Sequence, residues 1–190
     1  MVDERIWLLN KLIAYQERYG SDSFAQHESN KISSFIGQNR NCFLRSNLEG
    51  HITGSAWIVN ESLDACLLVH HRKLRLWLQL GGHADGESNI LNVALREVEE
   101  ESGLTGFKIL SEEIFDVDVH PIPARPHEPA HFHYDVRFLL QISSALPLVR
   151  SERESLELSW VPLTDIQKEE RYGAVKRLAE KSVQEFLLKC

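Results

Sequence analysis

Apolar positions along this 190-residue chain follow two regimes. Between residues 5 and 19 they recur at helical spacing, with Ile6, Leu9, Leu12 and Ile13 on one stripe and Gly20 as the stop. A second helix is predicted from Asp22 to Gly37, with Phe24, Ile32 and Phe35 as its apolar residues. From about Asn47 the pattern changes to short apolar runs between turns, and Gly54–Val59, Ala65–His70 and Leu74–Leu80 read as strands. A Gly81-Gly82 turn leads to a helix over Asn89–Ser102 that ends at Gly103. Two alternating strands follow, Ile114–His120 and His131–Ile142, then a short strand Glu157–Val161. The final helix, Tyr172–Leu188, sets Val175, Leu178, Val183, Phe186 and Leu187 on one stripe. The order predicts an α/β or α+β layered domain over residues 47–190, with residues 1–46 as a helical extension packed on it.

Composition narrows the function classes. Lys plus Arg is 21 against 28 Asp plus Glu, a formal charge of −7. This argues against a nucleic-acid or membrane-surface binder, which needs a basic footprint. Six of the acids but only one base lie between Gly82 and Leu104, so the remaining chain is nearly neutral. No run of eighteen apolar residues occurs, and Ile6–Leu9 is too short for a signal segment. Cys42, Cys66 and Cys190 are odd in number and form no CxxC pair, which predicts reduced thiols in a cytoplasmic protein.

The acidic segment has the most informative pattern. On the helix over Asn89–Ser102, Leu91, Ala94, Leu95 and Val98 share a stripe, while Glu97, Glu100 and Glu101 fall at i, i+3 and i+4 beside it. Glu99 points away from them. A solvated face is the plain alternative. Against it, Glu97 is followed at i+4 by Glu101 rather than by a base, and the acids sit in the last turn, where the helix dipole disfavours them. Three such carboxylates suit a Mg²⁺ or Mn²⁺ ion, which commonly shares its site with substrate phosphates.

The stretch Gly82–Leu104 resembles the signature of Nudix hydrolases, G-x5-E-x7-R-E-U-x-E-E-x-G-U, where U is a bulky aliphatic residue. Gly82, Arg96, Glu97, Val98, Glu100, Glu101, Gly103 and Leu104 match at the family's offsets, and Ser88 stands where the first Glu belongs. The resemblance extends over roughly residues 50–165. It implies an α/β/α sandwich around a mixed sheet, and Mg²⁺- or Mn²⁺-dependent attack of water on a diphosphate linkage, commonly in a nucleoside diphosphate joined to another group. It further implies that Glu97, Glu100 and Glu101 ligate the cations, that Arg96 holds the carboxylates in place, that Gly82 permits the loop geometry and that Gly103 ends the helix. Glu87, beside Ser88, is a candidate auxiliary ligand. The general base is open among Glu97 and Glu101 in the box and Glu152, Glu154 and Glu157 outside it, with the box preferred.

Four of the nine histidines lie between residues 120 and 133. Asp116, Asp118 and His120 alternate with apolar residues on one strand, as do His131, His133, Asp135 and Arg137 on the next. Pro121–Ala130 reads as a stiff loop joining them in a hairpin, in which Arg125 could clamp a phosphate. The polar face is either solvated or functional. The preferred functional reading is substrate binding by His131, His133, Asp135, Arg137 and His120, joined by His83; the runner-up is a softer metal such as Zn²⁺ or Mn²⁺ at His131-x-His133-x-Asp135.

The leading expectation is therefore a diphosphate hydrolase acting on a small phosphorylated molecule, with a homodimer open. The alternatives are a non-catalytic ligand sensor on the same fold and a diphosphate isomerase, which should place a catalytic cysteine in a recognisable motif. The box does not choose among nucleoside triphosphates, dinucleoside polyphosphates, ADP-ribose, nucleotide sugars and non-nucleotide diphosphates.

Overall fold

A computed structural model describes residues 3–126, 128–151 and 155–187 of the chain. Its helices are α1 (Ile6–Arg18), α2 (Ser23–Gln38), α3 (Ile90–Ser102), α4 (Leu163–Lys168) and α5 (Lys176–Leu187). Its strands are β1 (Gly50–Val59), β2 (Ala65–His71), β3 (Trp77–Leu78), β4 (Leu80–His83), β5 (Lys108–Ile122), β6 (His131–Gln141) and β7 (Ser155–Pro162). The architecture is the expected α/β type, a seven-stranded mixed sheet with helices, preceded by two N-terminal helices. Strands run in the order β3-β2-β1-β6-β5, with β4 beside β1 and β7 beside β2. Among the described residues no helix is long and apolar enough to cross a membrane.

The chain forms two compact units. The first comprises Met1–Ser55, Gly81–Ala94 and Ser111–Phe138; the second comprises Ala56–Leu80, Leu95–Leu110 and Leu139–Cys190.

In the first unit, Asp22 begins α2 by accepting the backbone N–H groups of Phe24 and Ala25 at 2.9 and 3.0 Å, a cap of the kind that contributes about 1 kcal/mol. The buried stripe of α1 is Leu8, Leu12 and Tyr15, whereas Ile6 and Ile13 are exposed. The expected stripe was thus displaced by about one position, because Trp7 and Leu8 make the apolar segment continuous and spacing alone cannot choose its inner edge. Phe35 of α2 stacks on Tyr134 of β6, with ring centroids 3.9 Å apart. Glu28 of the same helix is buried, and its Oε2 accepts the backbone N–H of Val119 in β5 at 2.8 Å. Lys11 reaches Glu113 of β5 at 2.7 Å. The start of α3 lies against β1 at Gly54, where a Cβ would come within 2.8 Å of Ile90 Cγ2.

In the second unit, β2 pairs antiparallel with β7, from Ala65 opposite Pro162 to His71 opposite Ser155. The single strand expected over Leu74–Leu80 is replaced by a turn and two short strands. Arg75 takes a left-handed backbone (φ +57°), and the His71 ring accepts the N–H groups of Lys73 and Leu74. The last helix begins later than its apolar stripe suggests, since Glu170–Val175 is a 3-10 turn and the α-helix starts at Lys176. Helix α4 had no clear signal in the sequence: six residues are too few to show a period.

Gly103 closes α3 in the left-handed region (φ +68°), donating its N–H to Glu99 O at 2.9 Å. An added Cβ would stand 2.7 Å from Val149 Cβ. Gly103→Ala is accordingly expected to cost at least about 1–2 kcal/mol, read as a lower urea midpoint at unchanged slope.

Candidate functional site

Helix α3 presents the acidic residues from its last turns. Val93, Ala94 and Val98 are fully buried and Leu91 nearly so, which fixes the rotation of the helix about its axis. Leu95 is only half-buried. This rotation leaves Glu99 exposed, as its position on the helical wheel requires. Arg96 Nη2 donates to Glu97 Oε1 at 2.8 Å, and its Nε lies 3.9 Å from Glu100 Oε1. Glu101 is buried at 7% exposure, whereas the Glu100 side chain is 66% exposed. The three carboxylates are not drawn within 4.8 Å of one another. Glu97 turns to Arg96 and Glu100 to solvent, as like charges on one arc do. The last turn contains no basic residue to balance them. An all-oxygen, multiply negative donor set of this kind fits a hard divalent cation.

The residues before the helix are occupied structurally. Glu87 Oε1 accepts the backbone N–H of Asn89 at 2.8 Å, so it caps the start of α3. Asp85 (φ +50°) is held by Arg45 through two 2.6 Å bonds. Gly82 lies in β4, and the close approach to β1 falls one residue earlier, where a Cβ on Gly81 would come within 2.2 Å of Ser55 Cβ. Glu152 and Glu154, candidate bases, and Cys190 lie outside the described residues. Cys42 and Cys66 are both buried, and burial pushes the Cys42 thiol up to about 11 and the Cys66 thiol well above its ordinary value. Neither is placed as a reactive cysteine of an isomerase would be.

The polar face of the hairpin is buried along most of β6. On β6, His131, Asp135 and Arg137 are 5%, 3% and 7% exposed, while Phe132 on the opposite face is 45% exposed. Asp135 and Arg137, expected to meet substrate, are instead bonded to each other beneath the surface. Arg137 Nε donates to Asp135 at 2.8 Å, Nη1 to Asp116 at 3.0 Å and Nη2 to Asp118 at 3.1 Å. Thr53 and Ser55 of β1 donate their hydroxyls to the two oxygens of Asp135 at 2.9 and 2.8 Å. Burial opposes the Arg137 charge, but Asp135, Asp116 and Asp118 outweigh it and hold the guanidinium firmly protonated. With each of its three nitrogens donating to a carboxylate, Arg137 ties β6 to β5.

Above that tie the histidines do come together. His131 and His133 of β6, His83 of β4 and His120 of β5 form one cluster with a residue that the sequence did not single out, His51 at the start of β1. The His51 ring centroid lies 4.9, 5.0 and 4.9 Å from those of His83, His131 and His133. His120 is tied by Nδ1 to Asp118 at 3.0 Å. Burial, then the neighbouring charges, push His83 down to about 4 and His133 down to about 2, and burial likewise lowers His51. His51, His83 and His133 are therefore held towards the neutral, lone-pair-bearing form. His51 could have been found from its own strand: His51-x-Thr53-x-Ser55 puts three polar side chains on one face, in step with His131-x-His133-x-Asp135.

Comparison with known proteins agrees with this construction. Residues 51–181 match the family model of the NUDIX domain. The chain is 29% identical over 139 residues to a Mycobacterium tuberculosis protein named as mutator MutT4; the match takes in 68% of this chain and 54% of that protein, so the chain spans about half the length of this curated relative. A Caenorhabditis elegans Ap4A hydrolase in binary complex superposes with a TM-score of 0.57 at 19% identity, over 73% of this chain and 98% of the other. The NUDIX domain of Shewanella oneidensis NrtR, in complex with ADP-ribose, gives 0.53 at 14% identity, over 81% and 97%. At such identities the likeness is one of fold. The family match covers most of the chain and holds within it the whole segment Gly82–Leu104 with its Arg-Glu-Val-x-Glu-Glu core, so the chain belongs to the Nudix hydrolase family.

Proposed function

We propose that this protein is a metal-dependent hydrolase of a diphosphate linkage, in a substrate built from a nucleoside diphosphate and a further group. The observation that carries this reading is the acidic last turn of α3, where Glu97, Glu100 and Glu101 face the same arc and Arg96 lies 2.8 Å from Glu97 and 3.9 Å from Glu100. Members of the family generally use divalent metal ions, and these three glutamates would hold Mg²⁺ or Mn²⁺. When bound, such an ion supplies charge neutralisation for the diphosphate and a water of lowered pKa.

The chain's own residues do the rest. Arg96 orients Glu97 through a charge-assisted bond and limits the repulsion along the helix. Glu101, being buried, is held where a carboxylate could take a proton from the attacking water, and we assign it that role or the neighbouring one of ligand. Glu87 serves the helix start, leaving the box with three acids in place of four. Retention of all three disfavours a pure sensor, which has no use for them together. The named neighbours act on or bind Ap4A and ADP-ribose, which supports a nucleotide-bearing substrate for this chain. We further infer that residues 1–46 form an extension of the hydrolase domain in a cytoplasmic protein, and that exposed Ile6 and Ile13 favour pairing of two copies.

A hydrolysis screen tests the reading directly. Dinucleoside polyphosphates, ADP-ribose, nucleotide sugars and nucleoside triphosphates are offered with Mg²⁺ and then Mn²⁺. Release of a mononucleotide that depends on the added ion is the expected result. Tight binding of one of these compounds with no turnover under either ion would favour the sensor.

A further inference from the structure

We propose that His51, His131 and His133 bind one divalent ion of the zinc type, at a site separate in its donor chemistry from the acidic turn of α3. Their donor nitrogens lie within 4.8 Å of one another, the one group of three metal-capable side chains so gathered among the described residues.

Three independent features point to a cation. The first is His51, 3% exposed, with neither Nδ1 nor Nε2 hydrogen-bonded although both are buried. Buried polar atoms are nearly always satisfied, and a neutral imidazole carries one lone pair, so the His51 nitrogen gathered with those of His131 and His133 calls for an electron-pair acceptor. The second is His131. Its Nδ1 lies 2.9 Å from the backbone oxygen of Pro129. A carbonyl can only accept, so Nδ1 carries the proton and Nε2 presents its lone pair inward. Metal-bound histidines are held by this same kind of outer bond. The third is spacing. His131 Nε2 and His133 Nε2 are 3.4 Å apart. Two nitrogens at about 2.0–2.1 Å from a tetrahedral zinc stand about 3.3–3.4 Å from each other.

Donor type selects the ion. Neutral imidazole suits zinc, copper, nickel and iron, whereas the carboxylates of α3 suit magnesium and manganese. Three protein ligands would leave a fourth tetrahedral position open, and His83 and the half-exposed His120 stand beside His133. The scaffold below is already rigid: Asp135, locked by Thr53, Ser55 and Arg137, follows His133 on the same face of β6.

Zinc content measured apart from catalysis tests the site. Chain stripped with a chelator is titrated with Zn²⁺ in excess Mg²⁺ by calorimetry, then desalted and analysed for metal by mass spectrometry. One Zn²⁺ per chain is expected. The combined Glu97→Gln, Glu100→Gln and Glu101→Gln variant should retain it, while His133→Gln should weaken binding more than about 100-fold, beyond the roughly 10–100-fold that loss of an outer contact costs. Zinc that survives His133→Gln and vanishes with the glutamate variant would assign the ion to α3 and overturn the proposal, as would wild-type chain that keeps none. Should His133→Gln fail to fold, Co²⁺ added to wild-type chain decides: intense visible bands of four-coordinate cobalt support the site, and a pale six-coordinate spectrum refutes it. None of these readouts depends on hydrolysis, so an inactive chain that binds zinc would leave this site standing.

Discussion

Glu101→Gln is expected to lower kcat/KM for diphosphate hydrolysis by about 100- to 1,000-fold, equivalent to about 3–4 kcal/mol of transition-state stabilisation. The substitution keeps the volume of a side chain that is only 7% exposed and removes its charge. The loss in rate follows from the several kcal/mol that a bound cation contributes against a dense phosphate charge. Stability should move the other way or not at all. Glu97 and Glu101 are an i,i+4 like-charge pair, so neutralising one relieves roughly 0.2–0.5 kcal/mol, and it does so at the helix end where negative charge is disfavoured. Glu100→Gln should behave similarly in rate, whereas Glu99→Ala, on the exposed side, should leave both rate and stability near wild type. Steady-state kinetics and a thermal melt on the same preparations check the split. Near-normal turnover in both Gln variants would remove the acidic turn from the mechanism.

The second large effect lies in the buried network and is one of stability. Arg137→Met leaves Asp116 (0% exposed) and Asp135 (3% exposed) without their shared cation. Removing one member of a buried ion pair costs about 3–5 kcal/mol, because the uncompensated charge remains in place. That is a large part of the stability of an ordinary domain. Adding Asp116→Asn and Asp135→Asn to the Met variant should recover much of the loss, since the buried charges then disappear together. Chemical denaturation of the single and triple variants measures this. A single-variant loss below about 1 kcal/mol would show the network to be effectively solvated. A raised KM at unchanged stability would return Arg137 to the substrate.

These two results differ in how far the sequence foretells them. Helix α3 was legible because its apolar stripe and its acids share one period, so rotation and composition define the same face. The hairpin was legible in period and misleading in environment. Alternation of His131, His133, Asp135 and Arg137 against Phe132, Tyr134, Val136 and Phe138 separates two faces, but it does not say which of them meets water. Here the charged face is buried, because three carboxylates and one guanidinium satisfy each other, and Phe132 is left outside. His51 escaped notice for a related reason. Its partners His131 and His133 are about 80 residues away along the chain, and only the pairing of β1 with β6 makes their matching polar spacing visible. The turn at Arg75 was hidden within an apolar run that reads as a strand, since a left-handed residue leaves no mark on a hydrophobic pattern.

Strand β5 stands at the end of the strand order, and one of its backbone N–H groups, that of Val119, is held by the buried carboxylate of Glu28. An open strand edge is a template for a further strand from another molecule, and proteins blunt such edges with charge or by covering them. Helix α2 supplies the charge here, an acid that occupies the donor. The N-terminal helices would then matter for the company the protein keeps as much as for its fold. Chains shortened past α2 would be expected to self-associate through β5 even where the chemistry of α3 is untouched.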